Sequence, residues 1–397
     1  MNFLSQRVQK LSESETLAMA RLGNELKEKG VNVINMSLGE PDFATPDFIK
    51  TAAKDAIDKN FSYYTPVPGY KELLEAISRK FKRDNHLNYA PSQIVVSTGA
   101  KQSIINVIMA TINPGDEVIL PAPYWVSYSE MIQLNEGVVT QINTDYKTDF
   151  KITPSQLEGA ITSRTKMFLF SNPSNPTGSM YSEDELRALG EVFKKHPQVL
   201  ILSDEIYEHI TFEEKMFSIG SIPELSERTV TVNGLSKNFA MTGWRLGYLG
   251  APLEIAKACV KIQGQFTSGA SSISQRAAIA AVEADPICIK EMQQAFKKRR
   301  DLLITLFKEI PHVHLNHPGG AFYLFPEVSH YFGKKYGDVV IKDAKDLCMY
   351  LLNVGHVALT PGGAFGAPEY IRLSYATSEE NIRKAVERIN KALALLK

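Results

Sequence analysis

The sequence predicts an α/β fold with a mostly parallel central sheet, helices on both faces of that sheet, and a smaller α+β domain beside it. Short β-branched or apolar runs alternate with amphipathic stretches over residues 93–233. Such alternation is typical of a parallel sheet covered on both sides. The alternation stops near residue 290, where a long charged stretch begins. A chain of 397 residues is also long enough for two domains.

The predicted large domain contains six strands and four helices between them. Ser182 and Glu185 have the spacing of a capping box, which predicts the start of the last of these helices. Thr45-Pro46 predicts another helix start. The strands are expected at 93–97, 117–121, 138–142, 165–171, 199–203 and 229–233, and the helices near 101–112, 124–135, 154–161 and 182–195.

The predicted small domain begins with the charged helix, from Lys290 to about Glu309. Thr377 and Glu380 have capping-box spacing, so a final helix is expected from residue 378. Strands are expected between these helices, near 313–316, 320–326 and 370–374. The predicted division of the chain is an N-terminal segment 1–46 that belongs to the small domain, a large domain 47–290 and a small C-terminal domain 291–397.

Composition and charge give no sign of a nucleic-acid or membrane partner. Basic and acidic residues number 44 each, so net charge favours no polyanion. The longest uncharged apolar stretches, such as 102–115, are shorter than the ~20 residues that span a bilayer. The start of the chain lacks the apolar region of a secretory signal. Three widely spaced cysteines, Cys259, Cys288 and Cys348, are typical of reduced thiols, and we expect a cytoplasmic protein.

Four polar or glycine-rich clusters directly follow predicted strands. Ligands of open parallel sheets bind beyond the carboxyl ends of the strands. Four clusters at that edge therefore predict one shared pocket. The clusters are 98–101, 172–178, 204–207 and 234–237.

Lys237 is the candidate nucleophile of this pocket. It lies among small residues in GLSKNFAMTGWRLG (234–247), with Arg245 eight residues later. A lysine attacks a carbonyl only when it is neutral, a state that desolvation or nearby positive charge favours. A single lysine is more often a surface residue, so the assignment depends on the surrounding pattern.

That pattern resembles the cofactor-lysine signature of the class I aminotransferases. The resemblance spans nearly the whole chain and is closest to the aspartate aminotransferase family, in its bacterial branch with GAK or GGK in the phosphate loop. It implies a fold-type I enzyme with pyridoxal 5′-phosphate bound to Lys237 as a Schiff base, and a homodimer with shared active sites. The further motifs that carry it are SLGEPDFATP (37–46), YTPVPG (64–69), STGAKQS (97–103), PYWVSY (123–128), SNPSNPTG (171–178), SDEIYE (203–208) and IRLSYATSEEN (371–381).

The resemblance implies that Lys237, Asp204 and Tyr207 are the catalytic residues. A carboxylate at Asp204 would face the pyridine nitrogen and keep it protonated. Because a buried carboxylate needs compensation, we also expect a cationic partner for Asp204. Tyr207 would donate to the phenolic oxygen of the cofactor, and Asn175 would contact both that oxygen and the substrate. Two structural alternatives stay open, a helix cap at Asp204 and a turn at Asn175.

The phosphate contacts follow from the same resemblance. Gly99, Ala100 and Lys101 come directly before a predicted helix, whose N-terminal amides form a natural anion site. Arg245 would pair with the phosphate, and Tyr64 would reach the phosphate bound by the partner subunit.

The resemblance also concerns Gly234 and Trp125, two further positions near the cofactor. The family often has a hydroxyl three residues before the cofactor lysine, where this chain has Gly234. Whether Ser236 makes the missing phosphate contact stays open. Trp125 resembles the residue that stacks on the cofactor ring and also contacts the substrate, with a buried core tryptophan as the alternative.

The resemblance implies that Arg372 binds the α-carboxylate of the substrate through its forked guanidinium. Gly39 would make the backbone contact that closes over the substrate. Another branch of the family holds the distal carboxylate with an arginine, but the matching segment 264–272 contains neither Arg nor Lys. Lys101 is therefore the candidate cation for that carboxylate, with the phosphate as its alternative anion.

The expected reaction moves an amino group between L-aspartate and 2-oxoglutarate in a ping-pong cycle of pyridoxal and pyridoxamine phosphate. Open alternatives are an aminotransferase with prephenate, aromatic or alanine preference, a pyridoxal-phosphate-dependent lyase, and a non-catalytic sensor with this fold. We expect no metal site, because His312, His314 and His317 have no cysteine or carboxylate nearby in the sequence.

Overall fold

A seven-stranded sheet forms the centre of the protein in a computed structural model, which describes residues 3–13 and 15–397. Smaller sheets lie in the N- and C-terminal parts of the chain. The strands are β1 (Ile34–Asn35), β2 (Ile94–Ser97), β3 (Glu117–Ala122), β4 (Val138–Asn143), β5 (Thr165–Ser171), β6 (Leu200–Asp204), β7 (Thr229–Gly234), β8 (Gly247–Gly250), β9 (Tyr323–Leu324), β10 (Lys335–Tyr336), β11 (Val339–Val340), β12 (Val357–Ala358), β13 (Thr360–Pro361) and β14 (Ile371–Ser374).

Helices connect most of these strands. The described residues form α1 (Gln6–Lys10), α2 (Glu15–Glu28), α3 (Asp47–Asp58), α4 (Lys71–Asn85), α5 (Ala100–Thr111), α6 (Ser127–Leu134), α7 (Pro154–Ala160), α8 (Glu183–Lys195), α9 (Leu253–Phe266), α10 (Ser272–Glu283), α11 (Lys290–Phe307), α12 (Ala344–Asn353) and α13 (Glu379–Ala394). In the described ranges, no helix is both long enough and apolar enough to cross a membrane.

The central sheet is mostly parallel, as predicted. Its strand order is β2-β8-β7-β6-β5-β3-β4. β8 runs antiparallel to both of its neighbours, and the other neighbouring pairs are parallel. This arrangement agrees with the fold-type I architecture that the resemblance implies.

Alternating side chains of the strands fill two separate cores, which is why the sheet carries helices on both faces. In β5, Met167 and Leu169 pack with residues of α5 and α6, whereas Phe168 and Phe170 pack with residues of α8. Successive residues of a strand point to opposite faces. Apolar residues at consecutive positions therefore bury both faces of the sheet.

β8 is the one strand of the central sheet that the sequence did not predict. Its four residues GYLG pair with both β2 and β7. Gly247 begins it, and a Cβ there would overlap the backbone at Gly99 and Ala100. A glycine is therefore required where β8 passes under the start of α5.

Three other predictions of regular structure are wrong or only partly right. The expected strand 313–316 is absent from the described residues, where His314 forms only an isolated bridge with Glu327. The expected strand 320–326 is reduced to Tyr323–Leu324. The helix expected over 124–135 begins only at Ser127, because residues 124–126 form the loop that carries Trp125.

All three predicted helix starts lie within one residue of a helix start in the structure, and one of the two predicted capping boxes is confirmed. The Ser182 hydroxyl accepts from the Glu185 amide and the Glu185 carboxylate accepts from the Ser182 amide, so this capping box is confirmed. α3 does begin after Pro46, but the Thr45 hydroxyl donates to the Ala240 carbonyl instead of capping it. α13 is capped by Ser378, one residue after the predicted Thr377.

Pairing of β1 with β12 connects the N-terminal segment to the C-terminal part of the chain. β9, β13 and β14 form a three-stranded antiparallel sheet in that same part. The pairing of β1 with β12 supports grouping residues 1–46 with 291–397. The exact domain boundaries stay a prediction.

Candidate active site

A cavity of about 390 Å³ lies at the carboxyl ends of β5, β6 and β7. All four predicted clusters contribute to it, so the prediction of one shared pocket agrees with the structure. Eleven of the residues assigned to the site line this cavity, namely Gly39, Ala100, Lys101, Trp125, Asn175, Asp204, Tyr207, Ser236, Lys237, Arg245 and Arg372.

Two assigned residues are not among the described residues that line the cavity. Gly99 lies directly behind it, as the N-cap of α5 with a φ of +85°. A Cβ at this position would overlap the Arg245 guanidinium, so glycine is required for both its backbone angle and this packing. Tyr64 lies elsewhere on the surface, where it is 99% exposed.

Lys237 follows β7 and points into the cavity. Its Nζ donates to the Gly39 carbonyl oxygen at 2.5 Å. Burial lowers the pKa of Lys237 to about 8, and the charges of Arg372 and Arg245 act in the same direction, while Glu40 and Asp204 act against it. An appreciable fraction of this amine is therefore neutral near pH 7–8, as a nucleophile or base requires.

Asp204, the last residue of β6, is buried at the base of the cavity. Its Oδ2 accepts from the Tyr128 hydroxyl at 2.7 Å, and its Oδ1 accepts from the Ile206 amide at 3.2 Å. Burial raises the pKa of Asp204 to about 6, although both hydrogen bonds and the charge of Lys237 lower it. The carboxylate is thus held in place with too little compensation for its charge.

Within the described residues, the hydrogen-bond partners of Asp204 are a hydroxyl and an amide. The cationic partner expected for Asp204 therefore stays a prediction. The alternative of a helix cap is wrong, because residues 206–209 form turns rather than a helix. We therefore expect a ligand in the cavity to supply the positive charge that compensates the Asp204 carboxylate.

Tyr207 and Tyr323 form a pair of buried hydroxyl groups, 2.7 Å apart. Burial raises the pKa of both residues, so both are protonated donors at neutral pH. Tyr207 comes from the turn after β6 and Tyr323 from β9. The pair therefore joins the central sheet to the C-terminal part of the chain.

Arg372, on β14, is buried, with only 2% of its surface exposed. Its Nη1 donates to Asn175 Oδ1 at 2.9 Å and its Nη2 to the Ser37 carbonyl at 2.5 Å. Its Nε has no hydrogen-bond partner within the described part of the chain. A buried charged donor without a partner is unfavourable, and an anion in the cavity would remove that penalty.

The first turn of α5 and Arg245 bring positive charge to another part of the cavity lining. Arg245 Nη1 donates to the Thr242 carbonyl at 2.9 Å, which holds the guanidinium against Gly99. The free amides at the start of a helix bind anions. The helix and the guanidinium together therefore suit a phosphate.

Gly234 leaves little space for the side chain that the family often carries there. A Cβ would lie 3.0 Å from Ile206 Cδ1 and 3.1 Å from Gly247 Cα. Ser236 is buried and lines the cavity. The chain therefore offers its hydroxyl at 236 rather than at 234.

Lys101 and Trp125 lie together in the cavity lining. Lys101 Nζ is 4.8 Å from the centroid of the Trp125 ring, a cation–π distance. Burial and then the charge of Arg245 lower the pKa of Lys101. Over residues 3–13 and 15–397, no carboxylate lies within ion-pair distance of Lys101. Trp125 packs edge-on against Tyr128, with ring centroids 5.4 Å apart.

Among the cavity-lining residues that sequence reasoning missed are Thr16, Leu17, Tyr128 and Tyr323. Tyr128 lies in the PYWVSY motif and follows Trp125 by three residues, so the motif gave a signal for it. Tyr323 lies in an apolar run that suggested only a strand. For Thr16 and Leu17 the sequence gave no local signal.

The three histidines near residue 314 do not converge. His312 stacks on His330, with ring centroids 3.7 Å apart, and His314 stacks on Tyr146. Among the described residues, no group of three or more His, Cys, Asp or Glu is arranged to hold a metal ion.

Comparisons with known proteins identify the family. Residues 31–389 match the family described as aminotransferase class I and II. An aspartate/prephenate aminotransferase of Nitrosomonas europaea is 46% identical over 98% of this chain and 100% of its own length. A bifunctional aspartate aminotransferase and glutamate/aspartate-prephenate aminotransferase of Petunia hybrida is 47% identical over 99% of this chain and 83% of its own length.

Solved structures agree with these matches. The aspartate aminotransferase of Rhizobium meliloti is 42% identical, with a TM-score of 0.96 over 100% of both chains. The enzyme of Thermus thermophilus, solved with maleate, is 39% identical, with a TM-score of 0.93 over 99% of this chain and 100% of that one. Enzymes of this family depend on pyridoxal phosphate. The chain belongs to the class I and II aminotransferase family.

Proposed function

We propose that the protein is an aspartate aminotransferase, which moves the amino group between L-aspartate and 2-oxoglutarate. The observation that carries this proposal is the pair of cationic side chains, Arg372 and Lys101, that line one cavity with Lys237 and lack carboxylate partners among the described residues. Two cations suit a substrate with two carboxylates.

The residues of the cavity fit pyridoxal phosphate. The start of α5, Arg245 and the Ser236 hydroxyl would hold the phosphate. Asp204, whose raised pKa shows that its charge lacks compensation, would face the pyridine nitrogen. Tyr207 and Asn175 would contact the phenolic oxygen, and Trp125 would stack on the ring. The bound cofactor supplies a carbonyl carbon that takes up the amino group and a ring that withdraws electrons from the substrate's α-carbon.

Lys237 performs the proton transfer in this proposal. Its Nζ, with a pKa lowered to about 8, is neutral often enough to remove the proton from the substrate's α-carbon. The Gly39 carbonyl holds Nζ by one hydrogen bond, which leaves its lone pair free. Asp204 keeps a negative charge at the base of the cavity, which favours a protonated ring nitrogen and so makes the α-proton more acidic.

Substrate orientation is the role of Arg372 and Lys101. Arg372 is already held by Asn175 and Ser37, so its guanidinium is fixed in orientation before the α-carboxylate arrives. Lys101 Nζ lies against the Trp125 ring and makes no ion pair with the described residues, so its ammonium is available to the distal carboxylate. Maleate in the Thermus thermophilus structure is a dicarboxylate, which supports the same arrangement here.

We expect Lys101→Ser to lower kcat/KM for aspartate by roughly 10- to 150-fold, equivalent to about 1.5–3 kcal/mol for a charge-assisted contact, with little change for alanine. The measurement is a panel of amino donors and 2-oxo acceptors assayed with wild type and variant. Lys261→Ser, in α9, is the control for loss of a lysine away from the cavity.

The same panel tests the proposal itself. Aspartate with 2-oxoglutarate should give the highest kcat/KM of the wild-type enzyme. Equal losses on both donors, with weaker cofactor retention, would reassign Lys101 to the phosphate. A wild type that prefers a monocarboxylic donor would contradict the aspartate assignment.

Prephenate is the second candidate for the amino acceptor. The Nitrosomonas europaea relative is named for both aspartate and prephenate. Prephenate also carries two carboxylates, and Leu17, Ile104 and Val126 add apolar surface to the cavity. Prephenate therefore belongs in the same panel.

We also propose a homodimer in which Tyr64 completes the partner's phosphate site. Tyr63, Tyr64 and Phe266 are 83%, 99% and 67% exposed. Thr65 donates to the Ala270 carbonyl, so the segments that carry these aromatic side chains lie side by side. Exposed aromatic groups of this kind are typical of interfaces, and closed symmetric dimers are the commonest oligomers.

We expect light scattering to give twice the chain mass of 44.2 kDa at assay concentration. Tyr64→Ala should weaken cofactor retention about tenfold, the loss of one charge-assisted hydrogen bond. Mixing Tyr64→Ala with Lys237→Ala subunits should restore one intact site per hybrid dimer and so recover activity. A fully active monomer, or mixing without recovery, would contradict shared sites.

A further inference from the structure

Tyr323 connects three parts of the cavity that the proposed function keeps separate. It is buried on β9, and its hydroxyl is 2.7 Å from the Tyr207 hydroxyl. The Arg372 guanidinium lies 4.7 Å from the centroid of its ring. Gly39 packs directly on its hydroxyl, where a Cβ would overlap the oxygen and lie 3.2 Å from Cζ. One side chain thus contacts residues assigned to the cofactor, to the α-carboxylate and to closure.

The direction of the hydrogen bond between the two tyrosines matters for catalysis. The geometry allows either hydroxyl to donate, but each hydroxyl carries a single proton. If Tyr207 donated to Tyr323, it would have no proton left for the cavity. If Tyr323 donates, the Tyr207 proton points into the cavity, and accepting a hydrogen bond also makes Tyr207 a stronger donor.

We propose that Tyr323 is a positioning residue that donates to Tyr207, directs the Tyr207 proton into the cavity and keeps this pair in register with Gly39 and Arg372. The inference rests on the proposed function, because Tyr207 has a partner in the cavity only when the cofactor is bound. It names a residue from the C-terminal part of the chain that influences cofactor chemistry without touching the reacting atoms.

The packing against Gly39 makes the position sensitive to small changes. The Gly39 carbonyl accepts from Lys237 Nζ while its Cα side rests on the Tyr323 oxygen. A methyl group at position 39 would push that oxygen away from Tyr207. If Tyr323→Phe removes that oxygen, the added Cβ at residue 39 still lies 3.2 Å from Cζ. A small shift relieves this contact.

The first test is the pH titration of the absorption of the bound cofactor, in the holoenzyme without substrate. A donor to the phenolic oxygen stabilises its ionised form, so a weaker donor raises the pH of the transition. We expect Tyr323→Phe to raise the midpoint by about 0.3–1 pH unit and Tyr207→Phe to raise it further. The double variant should match Tyr207→Phe alone.

Tyr375→Phe is the matched control. Tyr375 is a buried tyrosine whose hydroxyl donates to the Ala321 carbonyl, so its loss should leave the midpoint unchanged. A Tyr323→Phe midpoint equal to wild type would overturn the proposal. An equal shift with and without Tyr207 would also overturn it, because Tyr323 would then act independently.

The second test uses the packing at residue 39. We expect Gly39→Ala to lower kcat more than tenfold, because the added methyl group overpacks the contact with Tyr323. Gly39→Ala with Tyr323→Phe should recover at least threefold of that loss. If the double variant recovers no kcat, the proposed role of the contact between Gly39 and Tyr323 is contradicted. If the wild type neither shows a titrating cofactor nor transaminates any donor, the proposed function fails instead, which separates the two conclusions.

Discussion

Replacing Lys237 by alanine is expected to lower the turnover number roughly 10⁴-fold or more, because the variant loses the group that both binds the cofactor carbonyl and moves the α-proton. The fold should survive. The Lys237 side chain makes one hydrogen bond, to the Gly39 carbonyl, and burial already lowers its pKa to about 8. Removing a charge that the folded state disfavours does not destabilise that state.

The measurement combines steady-state turnover with the free energy of unfolding of the apo protein. Lys257→Ala is a suitable control, since Lys257 is an exposed lysine paired with Glu254 on α9. We expect it to keep wild-type turnover. A Lys237→Ala enzyme within about tenfold of wild type, or ~1.4 kcal/mol of barrier, would show that another residue is the base.

The sequence predicted the central sheet well because its strands are short, apolar and followed by helices with clear polar faces. β8 was missed for a physical reason. Its residues GYLG have poor intrinsic strand preference, and they form a strand only because β2 and β7 lie on either side. The strand expected at 313–316 failed for the converse reason, since its apolar alternation is present but only His314 finds a backbone partner.

The location of the site could be predicted from the sequence, but the hydrogen bonds between its residues could not. The clusters after β5, β6 and β7 could be placed at one edge because parallel strands end there. Tyr128 and Tyr323, which hold Asp204 and Tyr207, reach the cavity from α6 and β9. Such contacts join residues more than 70 positions apart, and no local pattern in the sequence encodes them.

Asp204→Asn is expected to lower the turnover number but to make the apo protein more stable above pH 6. Asparagine keeps the size of the side chain and a partner for the Tyr128 hydroxyl, but it removes the charge. The turnover number should fall by about 10²- to 10⁴-fold, because breaking a buried charge pair costs about 3–5 kcal/mol. Without that charge the ring nitrogen is no longer held protonated, and the α-proton becomes less acidic.

The stability of the apo protein should change with the opposite sign. Burial raises the pKa of Asp204 from an ordinary value near 4 to about 6, so the folded state binds more protons than the unfolded chain between these values. The stability contribution of this group is therefore fully present below about pH 4 and is lost as the pH rises through 6. Asparagine avoids that loss, so above pH 6 apo Asp204→Asn should be the more stable protein, by on the order of 1–3 kcal/mol.

Thermal unfolding of the apo and cofactor-bound proteins at pH 5 and pH 7.5 tests both halves of this argument. At pH 7.5, apo Asp204→Asn should unfold at a higher temperature than apo wild type, and the difference should shrink at pH 5. Binding of the cofactor should stabilise wild type more than it stabilises the variant. The positive charge of a protonated ring nitrogen compensates the Asp204 carboxylate, whereas the amide of asparagine carries no charge to compensate. Asp338→Asn, at the exposed turn between β10 and β11, is the control and should change neither quantity. If apo Asp204→Asn were the less stable protein at pH 7.5, the buried carboxylate would already be compensated by Tyr128 and the Ile206 amide. Asp204 would then not favour a positively charged ligand atom beside it. The assignment of Asp204 to the ring nitrogen would lose its physical basis.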